Sequence, residues 1–399
     1  MRIIEIKEGG DLTIYFGSPD LPFVLKQGHK YVLNDVNATS IASSNSLIRN
    51  IEISNFDRFY KQYHGENLDG KTLVAYRTGG AGDILFMTPA LKLLKKLYPT
   101  CKLVVCTSIA YKDIITDNEF IDEFQIIPTD IEVFEKADYH ILFERIIEEN
   151  LLAEYRNAYD LYLHRMGLFG QFENYYEKNP DEDCRLPVVG INPAKLEYVK
   201  DILTEYNVTD KDIKIGFNPW STTLLRNYSL KNAIGLVNIL AKKGVKVFLI
   251  GGKKEADASD FVRNAVEEQY RNNVINFANH SDEFGYTVAL VSLMDVIVGI
   301  DSSVLHIAGG LKIPLIGLFG PFASVLRIGS YKKAIGLEVK SFRCAPCFIH
   351  GPYPCRYANE SGMSPCLELI QPHVIIEQLQ FILQDRIKFD SEEMKEKGE

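Results

Sequence analysis

The sequence has no run of 18 apolar residues, so no membrane-spanning helix is expected. Its N-terminus, MRIIEIKEGGDLTIYF, lacks the uninterrupted apolar stretch of a secretion signal, which makes a cytoplasmic location the default expectation. Positive charge is in deficit. The formal net charge is −9, which argues against a broad surface for a nucleic-acid polymer. Two nucleotide motifs are also missing. No Gly-x-Gly-x-x-Gly stands in the usual frame, and no Gly-Lys-Ser/Thr follows the glycine-rich turn at residues 79–82. A Rossmann-type oxidoreductase is disfavoured by the first absence, and a Walker nucleoside triphosphatase by the second. The remainder is ordinary for a globular protein: 46% apolar and 24% charged over 399 residues, enough for two or three domains.

The patterning divides the chain. Up to residue 70, short alternating stretches (RIIEI, LTIYF, KYVLN) are separated by turn-forming pairs, which predicts a small β-rich domain. Within it, NATSIASSNS reads as a loop. From Lys71 the rhythm becomes strand, turn, helix: TLVAYRT, then DILFMTPALKLLKKLYP, then CKLVVCTS. The rhythm restarts at Lys214 with KIGFNPW, a helix closed by Gly244, VKVFLIGG and DVIVGID. Such alternation predicts an α/β fold with parallel sheets covered on both faces, and ligands at the carboxyl ends of the strands. The expected divisions are 1–70, 71–200 and 201–399.

Three stretches carry candidate chemistry. In RTGGAGDILFMTP, glycines precede a helix and Asp83 falls in its first turn. Asp83 is either a helix-capping residue or a reactive carboxylate. In FNPWSTTLLRNYS, the hydroxyls of Ser221, Thr222 and Thr223 and the cation Arg226 follow a strand. They suit a phosphate, or form an ordinary polar loop. In GIDSSVLHIAGGLKIPLIGLFGP, a strand delivers Asp301, then Ser302 and Ser303 start a helix that carries His306. That is either a diphosphate site or an N-cap with a satisfied histidine. Glu255, just after VKVFLIGG, is a weaker candidate for a nucleoside or sugar hydroxyl.

Together, in this order, the stretches GDILFMTPALKLLKKLYP, NPWSTTLLRNYS and DSSVLHIAGGLKIPLIGLFGP resemble glycosyltransferase family 9, the bacterial heptosyltransferases. The resemblance runs from about Lys71 to Leu383. It implies a GT-B fold, with two Rossmann-like domains facing a cleft, and inverting transfer from a nucleoside-diphosphate sugar such as ADP-heptose. It makes Asp83 the base, with Gly80 and Gly82 giving the acceptor clearance. Ser221, Thr222 and Arg226 would hold donor phosphate, Glu255 the nucleoside, and Asp301 the sugar. Ser302, Ser303 and His306 would line the phosphate side. Arg226 stands where the family often has lysine, which keeps the charge but replaces a point with a fork. No divalent ion is needed in this scheme.

Seven cysteines complete the picture, four of them crowded into SFRCAPCFIHGPYPCRYANESGMSPC: Cys344, Cys347, Cys355 and Cys366. The spacing C-x2-C-x7-C-x10-C suits a structural metal on thiolates, iron or zinc, in a finger over 342–367. Reduced structural cysteines or disulfides are the alternatives. Family 9 enzymes that modify autotransporter proteins are similar in having a β-rich N-terminal part and a four-cysteine iron finger. This similarity implies a protein acceptor and a homo-oligomer. A lipopolysaccharide-type glycan acceptor and a non-catalytic nucleotide-sugar-binding module are the competing expectations.

Overall fold

The computed structural model describes residues 1–16, 21–56, 60–179, 185–280, 283–340, 342–349, 355–358 and 362–389. The acidic stretch at 180–184 and part of the cysteine segment, including His350, lie outside these. The chain folds as two compact units, Met1–Asn150 with Tyr159–Cys184 and Leu151–Ala158 with Arg185–Glu399.

The first unit holds an antiparallel sheet in the order Asn50–Asn55, Arg2–Glu8, Lys30–Leu33, Thr129–Asp130. Its last strand comes from beyond residue 70, pairing Tyr31 with Asp130 and Val32 with Thr129. Ile3, Ile4, Val32 and Phe56 share one core with Val74, Tyr76, Val104 and Cys106 of the sheet that follows. Residues 1–70 are thus built onto their neighbours by a common core. The stretch read as a loop is instead the helix Asp35–Asn45. Its asparagines and serines are poor helix formers. Asn34 caps it by accepting from the Asn37 N–H at 2.8 Å, and Ala38 is buried. Capping and packing, rather than intrinsic propensity, account for this helix.

The second sheet of this unit runs Tyr139–Leu142, Thr72–Tyr76, Lys102–Thr107, Glu123–Ile126, all parallel. Leu73 to Tyr76 are buried without interruption, as a strand covered on both faces requires. The helix Ala81–Leu97 packs eleven buried residues and carries Pro89 in its interior. Proline leaves the Leu85 carbonyl without its helical donor. The Thr88 hydroxyl donates to that oxygen at 2.8 Å, which compensates the loss.

In the second unit six parallel strands run in the order Val274–Asn276, Lys246–Leu249, Lys214–Asn218, Val296–Ile300, Leu315–Phe319, Ala334–Glu338. In chain order this is 3-2-1-4-5-6, the doubly wound arrangement. The order reverses between Lys214–Asn218 and Val296–Ile300, so the loops after these two strands flank the switch point. The helix Leu230–Lys242 is capped by Ser229 and followed by Gly244 at φ +77°. The helix Pro193–Glu205 and the sixth strand were not read from the sequence.

Candidate active site

The first unit builds a presented carboxylate. Asp83 is the third residue of its helix, and its Oδ2 accepts from the Gly80 N–H at 3.0 Å. That bond is the capping role. Its other oxygen, Oδ1, lies 2.9 Å from the Arg77 Nη2. The Arg77 side chain is 2% exposed, while that of Asp83 is 23% exposed. Arg77 also donates to the Phe143 carbonyl at 2.8 Å and to Glu148 at 3.1 Å. Burial disfavours its charge, but Tyr162, Asp83, Glu148 and Glu144 more than offset this and hold it protonated. Tyr162 fixes the backbone beneath, donating to the Asp83 carbonyl at 2.8 Å. Gly79 adopts φ +112°, and a Cβ there would stand 2.7 Å from Asp83 Oδ2. Gly80 is the N-cap at an ordinary φ of −85°, and Gly82 lies in the first helical turn. The conformational demand for glycine in this turn therefore falls on Gly79.

The second unit builds a cationic cluster beside its switch point. After Lys214–Asn218, the loop is tied by Asn227, whose side-chain oxygen accepts from the Ser221 N–H at 2.7 Å. The Ser221 hydroxyl turns inward to the Thr223 carbonyl at 3.0 Å. Thr222 is exposed. Thr223, not Thr222, meets the cation: it accepts from the Arg226 Nε at 3.2 Å. Arg226 Nη1 also donates to the Asp301 carbonyl at 2.9 Å, joining the loops after the two central strands. The Arg226 side chain remains 29% exposed.

Asp301 is buried, with Oδ1 3.8 Å from His306 Nε2 and Oδ2 3.8 Å from Arg327 Nε. Burial would raise its pKa, yet the bond to His306 and the charges of Arg327 and Arg226 hold it down at about 2. The His306 pKa is lowered, chiefly by burial, so the imidazole is neutral near pH 7. Its Nδ1 lies 2.9 Å from the Tyr331 hydroxyl. With both ring nitrogens directed at protein groups, any part His306 takes in binding phosphate runs through Asp301. Ser302 caps the helix Ser303–Gly310, and its hydroxyl donates to Asn218. The first N–H groups of that helix stand at the carboxyl edge of the sheet, a ready anion site.

Glu255 makes the same local bond as Asp83, accepting from the Gly252 N–H at 2.8 Å. The four cysteines Cys344, Cys347, Cys355 and Cys366 are free thiols, and the described residues contain no disulfide. Burial pushes the Cys366 thiol up to about 11, with Cys355, Cys347 and Cys344 adding to the rise. Among the described residues no three His, Cys, Asp or Glu side chains converge tightly enough to hold an ion.

Sequence reasoning missed Arg77, Glu148, Tyr162 and Gly79 around Asp83, and Asn227, Arg327 and Tyr331 around Arg226 and Asp301. Two of these left a signal. Arg77 ends the apolar strand TLVAY, and Arg327 interrupts the apolar VLRI. A buried cation in such a run needs a buried anion.

Residues 165–353 match the model of glycosyltransferase family 9 (heptosyltransferase). Lipooligosaccharide heptosyltransferase 2 of Haemophilus influenzae is 31% identical over 86 residues, 22% of this chain and 25% of that protein. The match thus spans about a quarter of that curated relative's length. A family 9 glycosyltransferase from Veillonella parvula superposes with TM-score 0.63 at 17% identity, covering 80% of this chain and 99% of that one. The iron-containing dodecameric glycosyltransferase TibC from enterotoxigenic E. coli gives 0.54 at 13% identity, covering 91% and 89%. At these identities the superpositions show a common α/β fold with parallel sheets. No helix among the described residues is long and apolar enough to cross a membrane. With its three motifs in order and its doubly wound second unit, the chain is similar to glycosyltransferase family 9, whose model matches residues 165–353.

Proposed function

We propose that the chain is an inverting glycosyltransferase that moves a sugar, a heptose, from ADP-heptose to a Ser or Thr hydroxyl of a surface protein such as an autotransporter. The observation that carries the donor half is the Arg226–Asp301 junction at the switch point, where the partly exposed guanidinium stands beside a helix N-terminus. As the glycosidic bond breaks, negative charge builds on the β-phosphate. Arg226 and the helix N–H groups stabilise it there. Asp301 holds the transferred sugar, and Ser221, Ser302 and Ser303 shape the phosphate side. Thr222 adds a hydroxyl from the exposed loop, and Glu255 meets the nucleoside. Asp83 takes the proton of the attacking hydroxyl, with Gly80 and Gly82 leaving space for the acceptor. Attack on the face opposite the leaving group inverts the anomeric centre. This scheme works without a divalent ion.

Cys344, Cys347, Cys355 and Cys366 would hold a structural iron or zinc. Burial raises the Cys347 and Cys366 thiols, and a soft or borderline cation would favour their thiolates. When bound, the ion would supply cross-linking of the segment rather than chemistry. The neighbour described as iron-containing and dodecameric supports iron and a homo-oligomer for this reading. A cytoplasmic location belongs to the same reading.

The relative named as a lipooligosaccharide heptosyltransferase supports a second reading, a core-glycan acceptor. A donor panel separates them, with a co-expressed neighbouring surface protein and a truncated core glycan offered in parallel. Mass spectrometry should find the protein, not the glycan, carrying one or more heptoses. Heptose on the glycan alone would move the assignment to the second reading. Transfer from no nucleoside-diphosphate sugar would leave a binding module.

A further inference from the structure

Asp301 has two guanidinium neighbours, and they differ. Arg327, from the short helix Val325–Ile328, is 4% exposed, with its Nε 3.8 Å from Asp301 Oδ2. Its guanidinium also lies 4.6 Å from the centre of the Phe322 ring. Arg226 Nη1 is 4.0 Å from the same Oδ2, yet its hydrogen bonds go to uncharged oxygens, the Asp301 carbonyl and the Thr223 hydroxyl. A buried carboxylate with one cation in reach draws that cation into a close pair. Here the buried Arg327 shares the carboxylate, and the partly exposed Arg226 stays at a distance from it.

We propose that Arg327 is a positioning residue that balances Asp301 and so leaves the Arg226 guanidinium for the diphosphate of the donor. The inference rests on the reading of this unit as a nucleoside-diphosphate site. It assigns a role to a residue that lies outside the three matching motifs. The low pKa of Asp301, to which both arginines contribute against burial, agrees with a carboxylate that stays charged throughout.

The test is calorimetric titration of the full-length protein with ADP, GDP, UDP and CDP and with the matching monophosphates. Arg327→Met should weaken the preferred diphosphate about tenfold to a hundredfold, because Asp301 then captures Arg226. The monophosphate, which lacks the phosphate assigned to Arg226, should change less than about threefold. Arg327→Lys keeps the charge and should keep most of the affinity. Arg327→Met combined with Asp301→Asn removes the carboxylate that does the capturing, and diphosphate affinity should return. That double variant leaves no lone buried carboxylate, so it keeps the test readable should Arg327→Met alone fail to fold. Equal weakening of both nucleotides without recovery in the double variant would overturn the inference, as would an unchanged Arg327→Met. A wild-type protein that binds no nucleoside diphosphate would instead overturn the donor reading on which the inference stands.

Discussion

Two aspartates, one in each unit, meet arginine in opposite senses. At Asp83 the cation is hidden and the anion is shown: Arg77 is 2% exposed and Asp83 23%. Around Asp301 the anion is hidden at 8%, and the cation Arg226 is shown at 29%. The hidden charge in each case has an opposite charge beside it, Asp83 and Glu148 beside Arg77 and Arg327 beside Asp301. What reaches solvent differs. The first unit presents a group that can receive a proton. The second presents a group that can receive an anion. Acid–base chemistry at one substrate and charge stabilisation on another need that pair of opposites.

The most damaging way to break the comparison is Asp83→Asn. It keeps the shape of the side chain and one acceptor for the Gly80 N–H, but removes the proposed base. Transfer should fall about 10³-fold, in the middle of what a general base contributes. Diphosphate affinity should stay within about twofold on calorimetry, because the proposed anion site belongs to the other unit. Undiminished turnover would return Asp83 to a simple cap. Arg226→Met removes the shown cation and should lower kcat/KM about 10²-fold, as loss of one charge-stabilising donor does. Arg226→Lys, closer to the family's usual residue, should recover part of it. Here diphosphate affinity should fall as well, which distinguishes the two units by two assays.

A third variant tests how Asp83 is held. Gly79→Ala forces a Cβ to within 2.7 Å of Asp83 Oδ2 at a backbone φ of +112°. It should destabilise the protein by about 1–3 kcal/mol in urea unfolding and displace the carboxylate. Transfer should drop while nucleotide affinity holds. Gly82→Ala lies within the helix and should leave unfolding within about 1 kcal/mol of wild type. Equal effects at the two glycines would refute the special place given to Gly79.

Much of this was legible in the residue order, for identifiable reasons. The strands of the second unit are near-continuous apolar runs, and the loops after them carry Asp301 directly at one strand end and Arg226 eight residues beyond another. Periodicity and turn chemistry are local, so they could be read. The helix Asp35–Asn45 could not be read this way, because capping by Asn34 and packing of Ala38 decide it against propensity. The sharing of strand Thr129–Asp130 with the N-terminal sheet is a pairing across about a hundred residues, and no local pattern records it. The residues behind each aspartate were missed for the same reason. Glu148 and Tyr162 reach Arg77 and Asp83 from later segments, and Arg327 reaches Asp301 from beyond the next strand. A motif names the group that is shown, while the group that supports it comes from elsewhere in the chain.

The smallest effect concerns pH and the hidden half of the second pairing. Asp301 has a folded pKa of about 2, below its ordinary value of 3.8. A depressed carboxylate stabilises the fold above its unfolded pKa, and this contribution fades as pH falls from about 4 towards 2. From the shift it is about 2 kcal/mol at neutral pH. His306 is depressed too, chiefly by burial. Between its folded pKa and the ordinary 6.5, the unfolded chain binds the proton and the folded protein does not. Its neutral burial therefore costs stability progressively as pH drops below 6.5. His306→Gln, which cannot titrate but can still reach Tyr331, should flatten that part of the profile. Urea midpoints at pH 7.5 and pH 5 measure it: the wild type should lose more between these two conditions than the variant does. The difference should be below about 2 kcal/mol. Parallel losses would mean that His306 takes up its proton inside the fold, and Asp301 would then hold a charged partner rather than a neutral one.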